Sequence, residues 1–79
     1  MAVILITGSS SGFGASAARH FARRGDTVYA SMRDPAGAEE LTGIARRESL
    51  DLRPVALDVT RPAEFAPLVA RIVRESGRL

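Results

Sequence analysis

Apolar residues follow two rhythms along this 79-residue chain. Ala2-Val3-Ile4-Leu5-Ile6 is an unbroken apolar run rich in β-branched residues. A run that needs cover on both faces reads as a buried parallel strand, about Ala2–Thr7. From about Phe13 to Arg24 small and apolar residues recur at helical spacing without proline, which would turn Gly14, Ala18, Phe21 and Ala22 toward a sheet. Gly25 then stands where a helix closes on a left-handed residue. Thr27, Val28 and Tyr29 are good strand formers and predict a second strand over about Asp26–Met32. A second helix, about Ala38–Ser49, carries a narrow stripe of Leu41, Ile44 and Ala45, with Glu39, Glu40, Arg46 and Arg47 on its solvated side. Leu50-Asp51-Leu52 links it to a third strand, about Arg53–Leu57, with Pro54 tolerated among the first residues. Thr60 is placed to cap a third helix through about Ser76, with Pro62 in its first turn. Phe65, Leu68, Val69, Ile72 and Val73 give that helix one continuous apolar face, while Pro67 should kink it or delay its regular part.

The first strand and first helix are joined by Thr7-Gly8-Ser9-Ser10-Ser11-Gly12-Phe13-Gly14, and this turn carries the chemistry. The first N–H groups of a helix have no intrahelical partner and lie at the positive end of its dipole, so such a turn receives a phosphate. Glycine serves where a side chain would block the tight turn, the approach of the phosphate or the packing of helix on strand. The spacing is Gly-x-x-x-Gly-x-Gly, and the chain has no lysine to complete a Walker loop.

Composition narrows the function classes. Chains of this length bury only about 60% of their unfolded surface and form one small, marginal domain. Without cysteine there is neither a disulfide framework nor thiol chemistry. The first apolar run has no basic leader and is too short for a signal peptide or a membrane span, so a cytoplasmic protein with no membrane partner is expected. All eleven basic residues are arginine, interleaved with nine acids for a net charge of +2. They lack the one-sided clustering and aromatic interleaving of a nucleic-acid surface, and no nucleic-acid partner is expected. No grouping suggests a metal site. His20 has no partner at a fixed spacing and reads as a surface residue.

Thr-Gly-x-x-x-Gly-x-Gly after an apolar N-terminal strand resembles the cofactor fingerprint of the short-chain dehydrogenase/reductase family, and the resemblance extends over residues 2–79. It implies that Gly8, Ser10, Ser11, Gly12, Phe13 and Gly14 contact a nicotinamide dinucleotide. In such folds an acid about 20 residues beyond the glycines selects NAD through the ribose hydroxyls. Here the count reaches Met32 and then Arg33, whose guanidinium can pair with a 2′-phosphate. NADP(H) is therefore the preferred cofactor, with NAD(H) possible through the rival Asp34. Ser11 departs from the subset of the family with a second basic residue before the middle glycine. Asp58-Val59 resembles the family's adenine-binding pair, and the structural alternative is that Asp58 caps the next helix.

The element order is strand-helix-strand-helix-strand-helix. It predicts the N-terminal half of a doubly wound α/β fold of the Rossmann type, a partial three-layer sandwich with parallel strand order 3-2-1. The family's catalytic serine, tyrosine and lysine are not matched. Tyr29 has no lysine four residues on and reads as a packed strand residue. The expectation is a single cofactor-binding half-domain over residues 1–79, truncated before the catalytic half and without catalytic residues of its own. It would belong to an oxidoreductase acting on an alcohol or carbonyl compound. The alternative is a non-catalytic remnant that binds a dinucleotide or a partner chain. Strand one would then form an exposed edge through which the chain self-associates, or the isolated chain would be poorly stable.

Overall fold

The structure, a computed structural model, describes residues 2–9, 12–34 and 39–79. Its elements are β1 (Val3–Ile6), α1 (Gly12–Arg23), β2 (Thr27–Met32), α2 (Glu39–Glu48), β3 (Leu52–Ala56), a short 3₁₀ turn (Pro62–Glu64) and α3 (Phe65–Ser76). The strands form one parallel sheet in the order β1-β2-β3, with Ile6 opposite Ala30 and Met32 opposite Ala56. This is the expected α/β topology, with strand boundaries displaced by about one residue.

β2 is the middle strand, and all six of its residues are buried. Because side chains alternate across a sheet, it feeds two cores. Val28, Ala30 and Met32 meet Ala18 and Ala22 of α1 and Leu41 of α2 on one face. Tyr29 meets Leu68 and Ile72 of α3 on the other, with Val55 and Leu57 beside them. The small residues on α1 let that helix lie close to the sheet. Gly25 closes α1 at φ +95°, where its N–H donates to the Ala22 carbonyl and that of Asp26 to the Phe21 carbonyl. This pair of bonds is the Schellman ending.

The third helix begins differently from the sequence reading. Thr60 does not cap it: the 3₁₀ turn starts after Arg61 with no side-chain cap. Thr60 instead donates both its N–H and its hydroxyl to Asp58 Oδ1, at 2.9 and 2.6 Å. Pro67 produces a delay, since regular α-helix starts only at Phe65. Pro67 is thereby in the first turn, where its missing N–H has no intrahelical partner to lose.

Tyr29 is a packed strand residue, as its sequence context implies. Its hydroxyl lies 3.0 Å from Glu75 Oε1 and 2.8 Å from Ser76 Oγ, and accepts a bond from Arg53 Nη1 at 2.8 Å. His20 is exposed, with its ring edge-on to Phe21.

Candidate cofactor site at the C-terminal ends of the strands

The site forms where the parallel strands end. β1 runs out at Ile6, and the chain turns through Thr7-Gly8-Ser9 toward α1. Gly8 and Gly12 take φ values of +65° and +59°, the left-handed region that side chains resist. Gly14 is constrained in another way. A Cβ there would collide with the carbonyl oxygen of Gly8 and stand 2.9 Å from its carbon and 3.2 Å from Ser9 Cα. The two glycines therefore allow the turn and the first helical turn to touch backbone to backbone. No acidic side chain occupies the first turn of α1, so that turn supplies no counter-charge of its own to the positive end of the helix dipole. Ser10 and Ser11 lie outside the described residues. Phe13 is 90% exposed.

Beside the turn, Gly8, Met32, Arg33, Leu57, Asp58, Val59 and Thr60 line a depression of about 260 Å³. Met32 and Leu57 make its buried floor, and Val59 stands exposed at its rim. Four of the sequence-predicted residues (Gly8, Arg33, Asp58 and Val59) thus share one pocket, although they are separated by up to 51 positions. Asp34 is also exposed but is not part of that lining.

Asp58 is the electrostatic centre. Its Oδ1 is held by Thr60, while Oδ2 lies 3.4 Å from Arg33 Nε and 3.8 Å from Arg61 Nε. Its backbone N–H donates to Glu64 Oε1 at 3.1 Å. The Thr60 hydroxyl and amide, followed by the Arg33 guanidinium, outweigh partial burial and hold the Asp58 carboxyl below the usual carboxylate range. The capping alternative fails in its simple form, because the carboxylate closes a turn at Thr60 and bonds no N–H of the helix. With Oδ1 occupied, Oδ2 is the oxygen turned to Arg33, whose side chain is largely exposed.

Sequence reading missed two residues beneath the turn. Ser9 and Ser31 are both fully buried, and their hydroxyls donate to one acceptor, the Ile6 carbonyl, at 2.9 and 3.1 Å. The Ser9 N–H also donates to the Ser31 carbonyl at 2.9 Å. Thr60, Met32 and Leu57 were missed as well. Met32 ends β2 and Leu57 directly follows β3, so a large apolar residue at each strand end is the signal that could have marked them.

Among the described residues, no His, Cys, Asp or Glu group could hold a metal ion, and no helix is long and apolar enough to cross a membrane. Residues 2–79 match the family of short chain dehydrogenases. An uncharacterized oxidoreductase of Bacillus subtilis is 36% identical over 77 residues, covering 98% of this chain and 30% of the relative. A short-chain dehydrogenase/reductase structure from Burkholderia xenovorans superposes with a TM-score of 0.90 at 33% identity, covering 98% of this chain and 31% of that one. A variant of the actinorhodin polyketide ketoreductase, solved with NADPH, gives a TM-score of 0.83 at 29% identity, covering 95% and 29%. The chain spans 20–30% of the lengths of the curated relatives it matches. A family match over nearly every residue, together with the glycine turn and the parallel sheet beneath it, means that the chain belongs to the short-chain dehydrogenase family.

Proposed function

We propose that these residues form the NADP(H)-binding half-domain of a cytoplasmic oxidoreductase that moves a hydride between NADPH and an alcohol or carbonyl compound. The observation that carries the cofactor reading is the meeting of Arg33 and Asp58 in the pocket beside the glycine turn. The backbone contact at Gly14, which any Cβ would fill, suits a turn that must admit a pyrophosphate close to its N–H groups. Bound NADPH would supply the hydride from its nicotinamide ring. In this proposal the turn from Gly8 through Ser10, Ser11, Gly12, Phe13 and Gly14 holds the pyrophosphate. Asp58 accepts from the adenine amino group through Oδ2, and Val59 walls the adenine. Arg33 leaves Asp58 to pair with the 2′-phosphate, exchanging a long contact for a bidentate one. Tyr29 has no part in proton transfer, because its hydroxyl is committed to Arg53, Glu75 and Ser76. The hydride step is assigned to no residue of this chain. We also propose self-association through the open side of β1.

Calorimetric titration with NADPH, NADH and adenosine 2′,5′-bisphosphate tests the cofactor reading. NADPH and the bisphosphate should bind at least about tenfold tighter than NADH, a gap of about 1.4 kcal/mol. Arg33→Ala should erase that gap and leave NADH binding unchanged. Equal affinity for the two dinucleotides in the parent chain would overturn the role of Arg33 and favour Asp34 on the ribose hydroxyls. Binding of neither would remove the cofactor reading itself.

A further inference from the structure

We propose that Ser31 is a positioning residue for the cofactor turn, acting with Ser9 through the carbonyl of Ile6; this rests on the cofactor reading above. Ile6 is the last residue of β1, Ser9 lies in the turn and Ser31 is the penultimate residue of β2. Three bonds close the group: Ser31 Oγ to the Ile6 carbonyl at 3.1 Å, Ser9 Oγ to the same carbonyl at 2.9 Å, and the Ser9 N–H to the Ser31 carbonyl at 2.9 Å.

A buried hydroxyl without a partner is costly, and an apolar residue of similar size would serve mere packing without that risk. Here both hydroxyls are partnered, and both by the same oxygen. The Ser9 hydroxyl holds the turn to the end of β1, the Ser31 hydroxyl holds the same carbonyl to β2, and the Ser9 N–H bond to the Ser31 carbonyl joins the turn to β2 directly. The chain needs such a tie because Gly8 carries it away from the sheet at φ +65°. The tie also sets where the Gly8 carbonyl meets Gly14, and so where α1 begins. Arg33 follows Ser31 by two residues on the same strand end. One short segment of β2 therefore positions both the turn for the pyrophosphate and the guanidinium for the 2′-phosphate.

The test separates these two halves of the cofactor. NADPH needs both, whereas adenosine 2′-monophosphate carries adenine and the 2′-phosphate but no pyrophosphate. Titrations compare the parent chain, Ser31→Ala and Ser9→Ala, with urea unfolding of each as the measure of stability. Losing one hydrogen bond from the tie should weaken NADPH by about three- to tenfold. Adenosine 2′-monophosphate should change by less than about twofold, because Arg33 and Asp58 stay in place. A merely structural serine would lower the urea midpoint and leave both affinities of the folded protein unchanged, which would overturn the proposal. Equal weakening of both ligands would overturn it too. If Ser31→Ala fails to fold, Ser9→Ala decides by the same criteria. A parent chain that binds neither ligand refutes the cofactor reading and the positioning role with it, whereas normal binding by the variants refutes only the role.

Discussion

Gly8 and Gly14 resist substitution for opposite reasons, and the difference is measurable. Gly8 has open space where a Cβ would go but sits at φ +65°. Gly8→Ala should therefore cost only the left-handed strain, about 1–2 kcal/mol in urea unfolding. Gly14 has ordinary helical geometry but presses on the Gly8 backbone, which cannot move aside as a flexible side chain would. Overpacking of that kind costs about 1–3 kcal/mol, and the relief must come from shifting the turn. Gly14→Ala should thus lose NADPH binding more completely than Gly8→Ala at comparable stability; equal affinities for the two variants would contradict this. At this scale the glycine spacing pointed to Gly8, Gly12 and Gly14, the count beyond them reached Arg33, and the family resemblance singled out Asp58 and Val59. It could not mark Ser9, Ser31 or Thr60. The bonds from Ser31 to Ile6 and from Ser9 to Ser31 depend on the parallel register that sets Ile6 opposite Ala30, and residue types do not fix that offset. Thr60 suggested a helix cap because the following proline hid that its donors would turn back to Asp58.

The elements were legible from periodicity, and the misreadings concern where they begin and what holds their ends. The five-residue apolar stripe located α3, yet only Leu68 and Ile72 on it are buried. What fixes the C-terminal end of α3 is polar. Tyr29, buried in β2, bonds Glu75 and Ser76 of the helix, and Arg53 of β3 joins Tyr29 to Asp51 at 2.7 Å. Asp51 Oδ2 in turn accepts from Thr27 Oγ1 at 2.8 Å, which links all three elements. Partial burial pushes the Asp51 carboxyl up, but the bonds from Arg53 and Thr27 outweigh it and the net shift is downward. Glu75 is also held low, first by Arg71 and then by Tyr29. A carboxylate whose folded pKa is depressed contributes stability above its ordinary range, and that contribution disappears as pH falls through the folded value. The urea midpoint should therefore be flat near neutrality and fall as pH drops below the ordinary carboxylate range. Asp51→Asn should lower the midpoint at pH 7 and flatten its descent in acid. A midpoint unchanged from pH 7 to pH 3 would mean that the network contributes nothing.

At the scale of the molecule, the sheet has two unlike edges. β3 carries Pro54 opposite Ala30, and its proline offers no N–H to a further strand. β1 has no such block. Among the described residues it pairs only with β2, and Val3, Ile4, Leu5 and Ile6 are each only half-buried. The Thr27 N–H donates to the Ala2 carbonyl, so by the alternation of a parallel ladder the amides of Val3 and Leu5 face the open side. Val73, on the apolar face of α3, is also 42% exposed. An unpaired apolar edge of this kind favours joining a second strand, and the self-association proposed for β1 follows from that. The joining would rest on backbone bonds and apolar burial, neither of which salt screens. Arginine-driven clustering would instead weaken as ionic strength rises. Sedimentation velocity over a hundredfold range of concentration should therefore reveal a monomer–dimer equilibrium whose position is held or strengthened by added sodium chloride. Dissociation by salt would assign the contact to charged side chains, and a monomer throughout the range would show that β1 is protected in solution without a partner strand.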